Sequence, residues 1–198
     1  KSEDWKGKIK AVCIDMYKAY YSLVKKHLKN AAIVVDRFHI VALLHKAIDA
    51  VRRRLQREHR EKKRGFFDIR GVLHRNIEDL AGEELQDIVR LYSTDEVLAT
   101  CHELKEEFRT FLRLTEREEM SSFLDYWQTR VEESGIPELK EFSETLSRWR
   151  EEILNYSLYP ITNGFVEGLN NKIQTIKRRG YGYRNEDNFR RRVLLECA

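Results

Sequence analysis

The sequence predicts an α/β fold that is mostly helical by content, and three observations carry that prediction. Two short apolar runs near the start, 9–14 and 31–35, each stop at an aspartate, which is the pattern of buried strands. A helical period takes over at Phe38, and between Ile77 and Tyr156 no strand-like run interrupts it. With 198 residues, 41% of them hydrophobic, the chain can build one ordinary core, with or without a large insertion.

The first strand is expected over Ile9-Lys10-Ala11-Val12-Cys13-Ile14, which places Asp15 at its carboxyl end. Tyr17, Tyr20, Tyr21, Val24 and Leu28 then recur at helical spacing. Ala31-Ala32-Ile33-Val34-Val35 makes the second strand and ends at Asp36, so both strands of a strand-helix-strand unit terminate in a carboxylate. From Phe38 an apolar stripe of Ile40, Leu43, Leu44, Ala47, Ile48, Val51 and Leu55 defines a long helix.

Several amphipathic helices follow, separated by Ser93-Thr94, by a capping box of Thr115 with Glu118, and by Gly135 with Pro137 at a new start. The break at Tyr159-Pro160-Ile161-Thr162-Asn163-Gly164 offers Thr162 or Asn163 as a cap for a helix running from about Phe165 to Arg179. Gly180-Tyr181-Gly182-Tyr183 reads as a loop, and helical pattern resumes from Asn188 to Leu195. Three segments result: 1–47, 48–158 and 159–198.

The net charge of +4, from 37 Lys and Arg against 33 Asp and Glu, does not by itself announce a polyanion partner. The distribution is more telling. Arg52 to Arg64 holds eight basic residues against Glu58 and Glu61, and Lys172 to Arg192 holds eight against Glu186 and Asp187, so both are candidate phosphate-facing surfaces or solvated helix faces. Cys13, Cys101 and Cys197 are scattered and odd in number, so neither a disulfide framework nor a zinc site is indicated, and a reduced cytoplasmic compartment is the expectation. No run approaches a membrane span, the start is no signal peptide, and the lack of an initiator Met suggests a trimmed chain.

On the helix after Asn163, the residues Val166, Leu169, Ile173 and Ile176 form the expected buried stripe. Glu167 lies off it, with Asn170, Asn171, Gln174 and Arg178 on its own side, a face suited to metal and phosphate. Phosphodiester chemistry uses two hard cations about 3.5–4 Å apart, held by carboxylates from separate elements. Asp15 and Glu167 could converge in this way, because open α/β sheets place their sites beyond the strands' carboxyl ends. Taken singly, an aspartate such as Asp15 is more often a helix cap or loop residue than a ligand, Asp36 can cap the helix that follows, and a lone glutamate such as Glu167 is usually solvated.

The segments Asp36-Arg37-Phe38-His39-Ile40-Val41, Thr162-Asn163-Gly164-Phe165-Val166-Glu167-Gly168-Leu169-Asn170-Asn171-Lys172-Ile173 and Lys177-Arg178-Arg179-Gly180-Tyr181-Gly182-Tyr183-Arg184-Asn185 resemble the signature segments of DDE transposases from bacterial insertion sequences. More narrowly they resemble the ISL-three-like group. The resemblance implies the later part of a ribonuclease H-like catalytic fold carrying a large all-helical insertion. It further implies cutting of DNA at transposon ends and joining to target DNA with Mg²⁺ or Mn²⁺, by copies of the chain assembled on DNA near the bacterial nucleoid.

On this resemblance Asp15, within Val12-Cys13-Ile14-Asp15-Met16-Tyr17, matches the family's second catalytic Asp, and Glu167 matches the closing Glu. Asp36 and His39 take supporting roles, Asp36 orienting a basic group or a metal-bound water and His39 contacting DNA or donating to a carboxylate; a cap and a packed ring are the plain alternatives. Lys172, Lys177, Arg178, Arg179 and Arg184, with Tyr181 among them, are the expected DNA contacts, and tyrosines packed in the fold are the other reading. The segment upstream of Ile9 is too short for the strand bearing the first catalytic Asp, and Asp4 precedes no such strand. The expectation is therefore that this chain taken alone does not catalyse transposition. A transposase-derived helical DNA-binding or oligomerisation module without catalysis, and a metal-dependent nuclease on the same fold, are the competing functions.

Overall fold

The strand-helix-strand unit forms as its apolar runs demand. In the computed structural model, which describes residues 4–59 and 70–197, β1 (Ala11–Ile14) and β2 (Ala32–Val35) pair in parallel with Ile14 opposite Val35. They follow a short α1 (Asp4–Gly7), and α2 (Lys18–His27) makes the crossover a parallel pair requires. Ile33, Val34 and Val35 are fully enclosed. β1 departs from expectation, since only Ile14 is buried and Ala11, Val12 and Cys13 are half-buried. Both strands have one paired neighbour, and the difference lies in segment 150–157, which packs on β2.

The long helix α3 (Arg37–Glu58) buries Ile40, Leu44, Ile48, Val51 and Leu55, while Leu43 and Ala47 flank the stripe half-buried. Short α4 (Arg70–Leu73) precedes α5 (Glu83–Thr94), α6 (Glu96–Phe111), α7 (Arg117–Ser134), α8 (Pro137–Arg148) and α9 (Arg150–Leu154), and no strand follows β2 among the described residues. The chain is thus mostly helical around a small parallel sheet. None of its described helices is long and apolar enough to cross a membrane.

Local signals succeed where the cap is set by backbone chemistry. Gly135 ends α7 at φ 67°, a left-handed conformation that favours glycine, and Pro137 opens α8 at its first position. The capping box of Thr115 and Glu118 does not form: α7 starts at Arg117, its N-cap position falls on Glu116, and no side chain caps it. The break after Ser93-Thr94 is capped by the next residue, with Asp95 Oδ1 accepting from Val97 N at 2.9 Å. Ser93 instead donates back to Val89 O at 2.8 Å inside α5.

The core of the helical region is aromatic. Trp127, fully buried, packs edge-on against Phe108 at 4.9 Å and Phe142 at 5.8 Å, and its indole N–H donates to Leu104 O at 2.8 Å. Asn155 Nδ2 donates to Ile33 O at 2.9 Å, tying the segment after α9 to β2. Three residues of the first basic run are taken up by this packing. Arg52 is buried on Asp49 at 2.7 Å, Arg53 also pairs with Asp49, and Arg54 holds Glu138 of α8 at 2.8 Å. The remainder of that run, Arg60 to Arg64, lies outside the described residues.

Beside this core, His102 is fully buried, with Tyr92 Oη 3.4 Å from its Nδ1. Burial first, and the Lys105 ammonium second, pull its pKa down to about 4. A histidine depressed from 6.5 in this way favours the fold while neutral, so its contribution is complete above pH 6.5 and is lost as pH falls toward 4. Substituting His102→Asn should flatten the stability loss between those limits by on the order of 2–3 kcal/mol, read from denaturant titrations at each pH. Parallel pH profiles for parent and variant would refute this.

The chain divides into two compact units, Lys1–Pro160 and Ile161–Ala198. The second contains α10 (Gly164–Arg179) and α11 (Glu186–Cys197). Thr162 Oγ1 accepts from Gly164 N at 3.4 Å at the start of α10, and Asn185 Oδ1 accepts from Asp187 N at 2.8 Å at the start of α11. The expected stripe on α10 is buried only at Ile176. Leu169 and Ile173 are half-buried, and Val166 is 52% exposed, since three- and four-residue spacing fixes a common face but not what covers it.

Candidate functional site

The carboxyl ends of β1 and β2 gather three of the predicted site residues. In-register parallel pairing carries Asp15 and Asp36 out of adjacent strands at the same level, and Asp36 N donates to Ile14 O at 3.1 Å. His39, one turn into α3, brings its Nε2 to 2.8 Å from Asp15 Oδ1. Both side chains are about one-third exposed, His39 at 32% and Asp15 at 40%, so the pair is open to a ligand.

Asp36 is enclosed. Its Oδ1 accepts from Phe38 N at 3.3 Å, which makes it the N-cap of α3 and bears out the structural alternative. Its Oδ2 is buried without a hydrogen-bond partner among the described residues. A buried carboxylate oxygen left unmatched is costly, so it marks a position where a donor or cation would be favourable. The local field is negative: the Cys13 thiol is pushed up to about 12, by burial first and then by the charges of Asp36 and Asp15. Burial and the two carboxylates thus favour the protonated thiol of Cys13.

Arg37 has a role that the sequence did not disclose. Its guanidinium donates to Leu112 O and to Leu114 O at 2.8 Å and lies 3.5 Å from the centroid of the Tyr156 ring, joining the first turn of α3 to the α6–α7 connection. Phe38, next along, is 63% exposed. Nothing in helical periodicity marks these two residues, because the partners of Arg37 lie more than 70 positions away.

In the second unit Glu167 lies in the first turn of α10, half-buried, with its N–H donating to Asn163 O at 2.8 Å. Lys172, Lys177, Arg178, Arg179 and Arg184 are exposed, and none has a carboxylate partner among the described residues. The two tyrosines of the loop part ways. Tyr183 packs on Phe189 at 5.1 Å and against Gly180, where a Cβ would meet its ring at 2.2 Å. Tyr181 is 98% exposed at φ 47°, so packing accounts for the former and not for the latter.

Fold and site together define an α/β protein whose ionisable residues meet at the carboxyl end of its sheet, where open sheets of this kind bind ligands. Over residues 1–193 the chain matches a family model described as "Transposase", that of the ISL3 type of DDE enzymes. It is 33% identical over 186 residues to the transposase for insertion sequence element IS1001 of Bordetella parapertussis, which covers 92% of this chain and 46% of that protein. It is 26% identical over 200 residues to the transposase for IS1557 of Mycobacterium tuberculosis, covering 89% of this chain and 45% of the relative. The chain belongs to the ISL3-like family of DDE-type insertion-sequence transposases. It spans about half the length of the curated relatives it matches, and no solved structure matches it.

Proposed function

We propose that this chain is part of the catalytic domain of a DNA transposase and supplies Asp15 and Glu167 as metal-ligating carboxylates for cutting and joining DNA at transposon ends. The observation that carries this reading is the Asp15–His39 pair at the open end of the β1–β2 sheet, in a chain of the transposase family. On this reading the β1-α2-β2 unit of 1–47 and the helices of 159–198 belong to a ribonuclease H-like core, and 48–158 is a helical insertion.

The donor set fits hard divalent cations. Asp15 offers oxygen at a partly exposed position, the partnerless Oδ2 of Asp36 adds a buried acceptor at the same level of the neighbouring strand, and Mg²⁺ or Mn²⁺ favours carboxylate oxygens. When bound, such ions activate the attacking oxygen and stabilise the leaving oxygen of a phosphodiester. His39 orients the Asp15 carboxylate through its Nε2 contact, and Asp36 fixes the first turn of α3 so that His39 is presented to Asp15. Cleavage and joining of transposon-end DNA by the full-length protein, compared with Asp15→Asn and Glu167→Gln, test this directly.

The exposed cations of the second unit, with Tyr181, are read as the contacts to DNA, on which several copies of the protein assemble. Neutralising Lys177, Arg178 and Arg179 together should weaken binding and shallow the dependence of log K on log salt by up to about 0.9 for each phosphate no longer neutralised. Filter-binding or anisotropy titrations across a salt series measure this. A slope equal to the parent's would return the three to a solvated face.

A further inference from the structure

We propose that Phe38 is a base-stacking residue of the catalytic end, taking the face of an unpaired nucleobase next to the phosphate being cut. This rests on the transposase reading above and adds to it a specific element of substrate geometry. The starting observation is an apolar ring left 63% exposed in the middle of a tightly held turn. Phenyl rings ordinarily gain by burial, and a single exposed one is unremarkable on a loose surface. Here the surface is not loose.

Every neighbour of Phe38 in the turn is tied down. Its own N–H donates to Asp36 Oδ1 at 3.3 Å. Arg37 holds Leu114 O at 2.8 Å and covers the Tyr156 ring, and His39 reaches Asp15 at 2.8 Å. These links fix the backbone of the turn, and with it the side of α3 on which the exposed ring lies. The ring also meets the His39 imidazole edge-on, with centroids 5.7 Å apart at 85°. It therefore stands one imidazole away from the Asp15 carboxylate.

A phenyl ring has no donor or acceptor and cannot read the edge of a base. What it offers is a flat apolar face, which suits stacking on any base and carries no sequence preference. In a duplex both faces of a base are already stacked, so the ring gains a partner only when a base has left its pair. A phosphate engaged near Asp15 brings its adjacent base within reach of that face. The role predicted is to hold a strand end open beside the carboxylate while the backbone is cut.

The test uses the full-length transposase with Mg²⁺ and two transposon-end duplexes, one fully paired and one mismatched at the base flanking the cleaved phosphate. Each carries a fluorescent adenine analogue at that base. Phe38→Ala should lower cleavage of the paired end roughly 5- to 100-fold, the range expected for loss of one aromatic–base stack. It should cut the mismatched end almost as fast as the parent, and lose the fluorescence change that reports unstacking. Phe38→Trp should restore both readouts, and Phe38→Leu, which keeps apolar bulk without an aromatic face, should behave like Ala.

Equal loss on both substrates, no loss on either, or a fully active Phe38→Leu would overturn the inference, the last because an apolar cover for another protein surface needs no π-face. The two readings fail separately. Cleavage that survives Asp15→Asn removes the catalytic reading itself, whereas the outcomes for Phe38 leave Asp15 untouched. Thermal melting of Phe38→Ala should match the parent, since the ring contributes little to the core.

Discussion

Asp15→Asn in the full-length transposase is expected to reduce cleavage of transposon-end DNA by at least about a thousandfold, while DNA binding and thermal stability stay near those of the parent. The substitution keeps size and shape, and the amide oxygen can still face His39 Nε2, now 2.8 Å from Asp15 Oδ1. What it removes is the negative charge that would hold a divalent cation. Metal ions contribute several kcal/mol of transition-state stabilisation, and every 1.36 kcal/mol is a factor of ten in rate. Because the Asp15 side chain is 40% exposed, the fold depends on it little.

Glu167→Gln should give a loss of the same order, and the double substitution should be little worse than either alone, as for groups that act as one unit. Turnover of end DNA in Mg²⁺, with melting curves run alongside, separates lost chemistry from lost structure. If either variant cut within a few-fold of the parent, the catalytic role of that carboxylate would be wrong. His39→Ala should be milder, on the order of 10- to 100-fold, because His39 positions a carboxylate.

The largest effect on stability is expected at Trp127. Trp127→Ala removes a fully buried indole from between Phe108 and Phe142 and leaves Leu104 O without its 2.8 Å donor. Large aromatic-to-alanine changes in cores cost about 3–5 kcal/mol, and the orphaned carbonyl puts this site toward the upper end. Trp127→Phe retains most of the ring packing and should recover more than half of that loss. Urea denaturation of parent and both variants measures the difference. A change for Trp127→Ala below about 1 kcal/mol would contradict the packing described.

Site residues and helices were not equally legible before folding. The D-R-F-H segment shows the division clearly. Asp36 could be read as a cap or as a polar group near a site, and it is a cap through one oxygen with the other left unmatched. His39 could be read as packed or as donating to a carboxylate, and the structure sets it against Asp15. Arg37 and Phe38 stand in that segment but were given no role of their own. The partners of Arg37, Leu112, Leu114 and Tyr156, belong to a distant part of the chain, and the exposure of Phe38 depends on what does and does not pack over it.

Basic residues divide in the same way. Arg52 to Arg57 and Lys172 to Arg184 look alike as composition. Of the first set, Arg52 and Arg53 are drawn to Asp49 at i−3 and i−4, and Arg54 to Glu138, which arrives only when α8 packs on α3. The second stays exposed. A motif such as Thr115 with Glu118 failed for a smaller reason, since a helix start displaced by one residue moves the hydroxyl off the N-cap position.

By itself the sequence determined the family, the two strands with their terminal aspartates, the long helix after Asp36, and the helix that carries Glu167. These follow from local rules: apolar run length, three- and four-residue spacing, and glycine and proline at breaks, none of which needs a distant partner. Tertiary structure alone decided that Asp15 faces His39, that Arg37 clamps the turn between them, that Tyr183 packs while Tyr181 does not, and that Phe38 stands exposed beside the site. Each depends on side chains brought together across the fold, and a linear pattern fixes the direction of a side chain but not its neighbour.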